Sequence, residues 1–314
     1  MRLLRHCSLA LILPTLLGAC VQQDRDGDVL SSVGDTGQDD EAWTTELAAH
    51  REELDEELRS SNTSPMAGTQ YLKSEPGDRV YLTRQGRTFA LADSAGSESV
   101  LLVAMEDGTW RWHDEGQEVV CRMEGESVTT GGALEGAAIF EIEDLTLSFY
   151  PSEDRVTFIV FDPERPEKQT FEHLLYFPPD RKYAVNARLV EFPEPDEIEM
   201  LTSRDLKKTF YRYAKITFRL AGKDQELSAF KSKLTGEGSG YLFIPFRDAT
   251  TGRETYGAGR FLEIDEPDDE HFVLDFNRAF NPLCNYSPAY NCAIPPRENH
   301  LEVAIKAGEM TYPH

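Results

Sequence analysis

The chain has 314 residues, 40% of them apolar, and sets 32 basic against 56 acidic side chains for a net charge of −24. So acidic a surface repels phosphate backbones and anionic headgroups, which excludes nucleic acid as a partner and leaves any bilayer contact to something other than charge. The length suffices for one large core or two modest ones.

The first 19 residues read as a secretory signal. Arg2 and Arg5 precede an apolar run from Ser8 to Leu17, and no acid occurs before Asp24. The run is too short to span a membrane as a helix, which takes about 20 apolar residues. It ends in Leu17-Gly18-Ala19-Cys20, which resembles the lipobox of bacterial lipoproteins. That resemblance implies cleavage before Cys20, acylation of its sulfur, and a lipid anchor stabilised by about 0.8 kcal/mol per buried methylene. Val21 follows the cysteine where Asp is typical of inner-membrane retention. The expected location is therefore the cell envelope, at the outer membrane if the cell has two. Without residues 1–19, 30 basic residues face 56 acidic ones, a net charge of −26.

Residues 20–40 carry Asp, Gln, Gly and Ser with almost no bulky side chain, the composition of a disordered tether spanning on the order of 25 Å. A helix is expected over residues 41–60, because Trp43, Leu47, Leu54 and Leu58 recur at spacings of four and seven on one amphipathic face. It should pack on the folded body through Trp43, and Ser61 to Gly68 ends it. Short strand-like runs follow at intervals of about ten residues: Arg79–Thr83, Val100–Met105, Thr109–His113, Glu118–Met123, Ile139–Glu143, Leu145–Tyr150 and Val156–Phe161. Asp107-Gly108 marks a hairpin turn between two of them. Asp162-Pro163-Glu164-Arg165-Pro166 separates an N-terminal β module (69–165) from a C-terminal one (166–314). In the second, Tyr183–Glu191, Lys215–Leu220, Gly240–Pro245, Arg260–Ile264, Phe272–Phe276 and Val303–Ala307 are strand candidates, and Phe192-Pro193-Glu194-Pro195 reads as a rigid turn. The predicted class is mainly β: antiparallel sandwich- or barrel-like modules with one N-terminal amphipathic helix.

Of five cysteines, Cys7 leaves with the signal and Cys20 carries lipid, so Cys121, Cys284 and Cys292 remain. Export favours oxidation. The parsimonious assignment is a Cys284–Cys292 disulfide with Cys121 buried and reduced. Free thiols, or zinc held by Cys284, Cys292 and His300 with His271 or Asp275, are the alternatives, although structural zinc prefers cysteines two to four residues apart.

Four stretches resemble the bacterial domain-of-unknown-function family numbered 1684. They are Leu174-Leu175-Tyr176-Phe177-Pro178, the run from Phe246 to Leu262, the run from Asp275 to Cys284, and the run from Cys292 to Asn299. With the Trp43 helix, the resemblance spans roughly residues 41 to 314. It implies no agreed activity, substrate or cofactor. The polar Ser60-Ser61-Asn62-Thr63-Ser64 departs from the apolar, tryptophan-containing stretch that other members carry there.

No standard catalytic signature is present. A nucleophile elbow fails at Ser239, which has Glu237 two residues before it, and no His-Glu-x-x-His or phosphate-cradling loop occurs. No cofactor and no metal are implied. The remaining candidate is a polar cluster from the family-like motifs: Asp248, Tyr256, Arg260, Asp275, Asn277, Asn281, Glu298 and Asn299. Arg260 and Asp275 stand near ends of successive strand candidates, so a hairpin would join them. An Arg between acids can fix a ligand carboxylate, and two carboxylates can do acid–base work. The same residues can equally form a structural network. The leading expectation is a tethered protein that binds an envelope ligand or protein partner. The alternatives are a hydrolase using Asp248, Asp275 or Glu298 with Arg260 orienting the substrate, and a structural or assembly protein without a small-molecule site. Convergence of Arg260, Asp275 and Glu298 on one cleft discriminates among them.

Overall fold

A computed structural model describes residues 36–313 apart from 117, 124, 125, 130 and 237. The signal-like segment, Cys20 and the tether up to residue 35 lie outside the described residues. Helix α1 runs from Thr36 to Ser60. It starts five residues before the expected Glu41, taking the end of the supposed tether into the helix, where acidic sequence suits the N-terminal dipole. Its apolar face docks as the spacing predicts. Leu47 is fully buried, and Trp43 donates its indole N–H to Asp275 Oδ2 at 2.9 Å beneath the Arg181 guanidinium. Lys168 Nζ donates to the carbonyls of Leu58, Arg59 and Ser61, supplying partners that the last turn of a helix lacks.

Eleven strands follow: Gly68–Lys73 (β1), Arg79–Gln85 (β2), Thr88–Ala92 (β3), Ser99–Glu106 (β4), Thr109–Asp114 (β5), Val120–Met123 (β6), Glu126–Val128 (β7), Gly132–Leu134 (β8), Ala138–Ile142 (β9), Leu145–Pro151 (β10) and Val156–Phe161 (β11). They form two antiparallel sheets, β1-β11-β10-β9-β6-β7 and β3-β2-β4-β5-β8. Alternate residues of both sheets meet in one core, where Trp112, Phe140, Phe149 and Phe158 pack edge to face or tilted. The Asp107-Gly108 turn forms as expected: both residues have positive φ, 50° and 77°, and Glu106 pairs with Thr109.

The C-terminal half holds Ala184–Leu201 (β12), Lys207–Leu220 (β13), Lys223–Lys231 (β14), Tyr241–Phe246 (β15), Arg260–Asp265 (β16) and His271–Asp275 (β17), in the order β16-β15-β14-β13-β12-β17. Its edge strands β16 and β17 are joined by residues 266–270 alone, a reach of at most ~20 Å. The sheet therefore curls back on itself around a second core that includes Ile216, Leu227, Ile244, Phe246 and Phe276.

Two expectations are corrected here. Phe192 to Pro195 is not a turn but lies within β12, where the pairing jumps from Glu191–Ala214 to Asp196–Arg212. On its other side β12 pairs with β17 only over Ala184–Arg188, so the missing amides of Pro193 and Pro195 fall at a bulge beyond that ladder. Val303–Ala307 is not a strand, although Val303, Ile305 and Ala307 are buried in alternation. Its carbonyls are taken up elsewhere: Val303 O accepts from Ala249 N, and Ile305 O and Ala307 O accept from Arg260.

Candidate functional site

The eight polar candidates do not assemble into one cleft. Arg260 is 1% exposed and donates from Nη2 to Asp248 Oδ2 at 2.7 Å and to Ile305 O at 2.8 Å, and from Nη1 to Ala307 O and Glu309 O. Asp248 also accepts from the Thr250 amide and hydroxyl. Asp275 sits under Trp43 and caps the turn at Asn277 through its amide at 2.9 Å. β16 and β17 are opposite edges of the sheet rather than a hairpin, which corrects the reason for expecting Arg260 and Asp275 together. Glu298 is at the surface in a bidentate pair with Arg212, at 2.8 and 3.0 Å. Asn299 bonds the main chain of Ser228 and Pro245, and Tyr256 donates to Cys284 O at 3.2 Å. These six side chains brace the C-terminal module.

Asn277 and Asn281 are different. Both line a cavity of about 290 Å³ where helix α1, the N-terminal sheet and the C-terminal segments meet. The helix contributes His50, Arg51, Leu54, Glu57 and Leu58; β10 and β11 contribute Ser148, Tyr150 and Phe161. Ser61, Thr63, Ser64 and Pro65 after the helix, with Leu174, Tyr176, Asn277 to Asn281, Leu283, Tyr286, Tyr290 and Glu309, complete the wall. The lining is mainly apolar. Within it, three buried polar atoms have no hydrogen-bond partner: Arg51 Nε, Tyr176 Oη and Asn281 Oδ1. Asn281 itself is 1% exposed.

The electrostatics of the wall follow from burial. Glu309 is 2% exposed, and its Oε2 accepts from Asn281 N at 2.8 Å and Tyr286 Oη at 2.5 Å. Burial outweighs those donors and the nearby Arg260, and raises its pKa to about 7. Asp55, which accepts from Leu174 N at 2.8 Å, is also raised, first by burial. Arg51 lies with its guanidinium 4.2 Å over the Tyr176 ring and donates at 3.3 Å to Phe177 O and 3.4 Å to Asn277 O. The His50 pKa is lowered by burial and then by Arg278 and Arg51.

The expected Cys284–Cys292 disulfide is absent: both are free thiols, as is buried Cys121. The two sit side by side, with Cys284 N donating to Cys292 Sγ at 3.2 Å. The Cys292 thiol hydrogen-bonds Cys284 and lowers its pKa to about 7, with help from Tyr256 and Ser203 and against burial. The eight-residue spacing thus brings the sulfurs together, while their oxidation state is not a matter of spacing. No group of His, Cys, Asp and Glu able to hold a metal occurs among the described residues.

Residues 169–310 match a family model described as a protein of unknown function, DUF1684. An uncharacterized protein of Haloarcula marismortui, solved in solution by NMR, is 39% identical over a match that covers 48% of this chain and 83% of that one, with a TM-score of 0.40. This chain belongs to the DUF1684 family. No curated protein matches it. The DUF1684 span includes all four sequence motifs and supplies Leu174, Tyr176, Asn277, Asn281, Tyr286 and Glu309 to the cavity. The wall formed by α1 and by Ser148, Tyr150 and Phe161 comes from outside that span.

Sequence reasoning missed Arg51, Tyr176 and Glu309. Arg51 had a readable signal: it stands four residues after Leu47 and three before Leu54, a charge inside the apolar stripe of the helix. Tyr176 lies in a family-like motif, without polar neighbours to single it out. Glu309 shows no local pattern, since its environment is built by Asn281 and Tyr286, more than twenty residues away.

Proposed function

We propose that the protein is a lipid-anchored envelope protein whose cavity binds a small, largely apolar ligand with one polar end. The supporting observation is the unmatched polarity of the cavity: Arg51 Nε, Tyr176 Oη and Asn281 Oδ1 are buried without partners. Leaving such groups unpaired costs about 1–3 kcal/mol each, so a ligand that pairs them recovers stability as well as affinity. At ~30 Å³ per water, the 290 Å³ volume equals about ten waters, room for roughly ten to fifteen non-hydrogen atoms.

The test is calorimetric titration of decanol into the mature chain (positions 20–314) carrying Cys20→Ser. Saturable one-to-one binding is expected. Leu54→Trp and Leu58→Trp, each of which fills the cavity from the helix side, should abolish it while the melting temperature is retained. Binding that neither substitution weakens would place the ligand elsewhere and refute the reading. Anchoring rests on Leu17-Gly18-Ala19-Cys20 and has its own test. Cys20→Ser in the full precursor should release the protein from membranes after a high-salt wash. Equal membrane recovery of variant and wild type would refute the anchor.

A further inference from the structure

Arg51 is a cation of the cavity wall that makes no ion pair among the described residues, although Glu309 and Asp275 lie near enough to favour its charge against the cost of burial. Its neighbour Arg278 pairs with Glu46 at 2.6 Å, and Arg59, two turns on, pairs with Glu56. Arg51 enters none of the ion pairs among the described residues, in a chain with 56 acids to offer. Its two carbonyl contacts are long, at 3.3 and 3.4 Å, and Nε has no partner. A guanidinium half-withdrawn from water is costly unless an opposite charge completes it.

The surroundings select the sign and shape of what completes it. His50 shares the wall, and the two arginines that lower its pKa report a positive local field. Of the two acids in the wall, Glu309 has its pKa raised by burial and so opposes an incoming anion less than an exposed carboxylate would, while Glu57 stands more than a turn and a half along the helix from Arg51. Beside Arg51, the Tyr176 hydroxyl is a second donor without an acceptor. The two free donors match the two oxygens of a carboxylate, whereas a phosphate would need more; the third unpaired atom, Asn281 Oδ1, is an acceptor and stays outside this head-group contact. The wall also presents aliphatic side chains, Leu54, Leu58 and Leu174, of which Leu58 and Leu174 share a packed cluster with Tyr176.

We infer that the ligand is an amphipathic carboxylic acid, its carboxylate held by Arg51 and Tyr176 and its aliphatic chain lying along Leu54, Leu58 and Leu174. The inference rests on the cavity being a ligand site, and it specifies what that site selects.

The test compares decanoate, decanol and decylamine, three head groups on one chain length, by calorimetry on the mature chain with Cys20→Ser. Decanoate should bind roughly tenfold to a hundredfold more tightly than decanol, as charge-assisted hydrogen bonds provide, and decylamine should bind most weakly. In Arg51→Gln the acid-over-alcohol ratio should fall to about one. A decanol affinity equal to that of decanoate in the wild type would overturn the carboxylate assignment and leave the apolar site standing. Tightest binding by decylamine would overturn it too, and would move the head group to Glu309. If none of the three binds, the ligand-site reading fails with it.

Discussion

Replacing Arg260 with Met separates a structural brace from a binding residue. Arg260 is 1% exposed, and its one charged partner, Asp248, has a fully buried side chain. The substitution strands that carboxylate and removes the donor from the carbonyls of Ile305, Ala307 and Glu309. Removing one partner of a buried ion pair costs about 3–5 kcal/mol, and each unsatisfied carbonyl adds to the loss. Asp248 keeps its two bonds from Thr250, which softens the penalty. The expected destabilisation of Arg260→Met is therefore about 4 kcal/mol, read as a shift of the urea midpoint at constant m-value. Adding Asp248→Asn removes the stranded charge and should recover about 1–2 kcal/mol. A variant within about 1 kcal/mol of wild type that loses decanoate binding would refute the brace and return Arg260 to the binding site.

Glu309→Gln should change the pH dependence of stability. Because burial raises the folded pKa from 4.5 to about 7, the native state holds this proton more tightly, and stability falls as pH rises from about 4.5 through about 7. Gln removes that loss, so urea unfolding should show wild type and variant similar near pH 5 and the variant favoured by up to about 3 kcal/mol at pH 8; a difference independent of pH would contradict this. Gly308→Ala should cost about 2–4 kcal/mol, since φ is +73° and a Cβ would stand 2.5 Å from Ala279 O and 2.8 Å from Phe276 O; a thermal melt like that of wild type would count against it. In reduced protein, iodoacetamide should modify Cys284 before Cys292, at a rate rising through about pH 7. Cys121, pushed up to about 12 by burial, should react only after unfolding. Peptide mapping that finds Cys292 modified first would reverse the assignment of the thiolate.

The parts of the fold that were legible rest on local patterns. The stripe of Trp43, Leu47, Leu54 and Leu58 specifies both the helix and the face it buries, and Asp107-Gly108 specifies its turn. What escaped depends on distant partners. β12 extends to Leu201 through two prolines because β13 pairs with it across a bulge, and alternation in Val303–Ala307 mimics a strand because Arg260 takes its carbonyls. β14 hides behind a polar start, Lys223-Asp224-Gln225-Glu226, and only its last five residues are buried. Shared motifs suggest that the polar cluster is one site, whereas the structure divides most of its members among separate braces. Asn281 was anticipated, but the cavity it faces draws on segments from residue 50 to residue 309, so no window of sequence displays it.

The central claim, that this cavity is the ligand site, is tested most directly by isotope-filtered nuclear Overhauser contacts between bound unlabelled decanoate and the labelled mature chain with Cys20→Ser. Contacts are expected from the chain methylenes to the methyls of Leu54, Leu58 and Leu174, and from the methylene beside the carboxylate to the Tyr176 ring. Contacts confined to the exposed aliphatic side chains Val190, Leu201 and Val273 would contradict it.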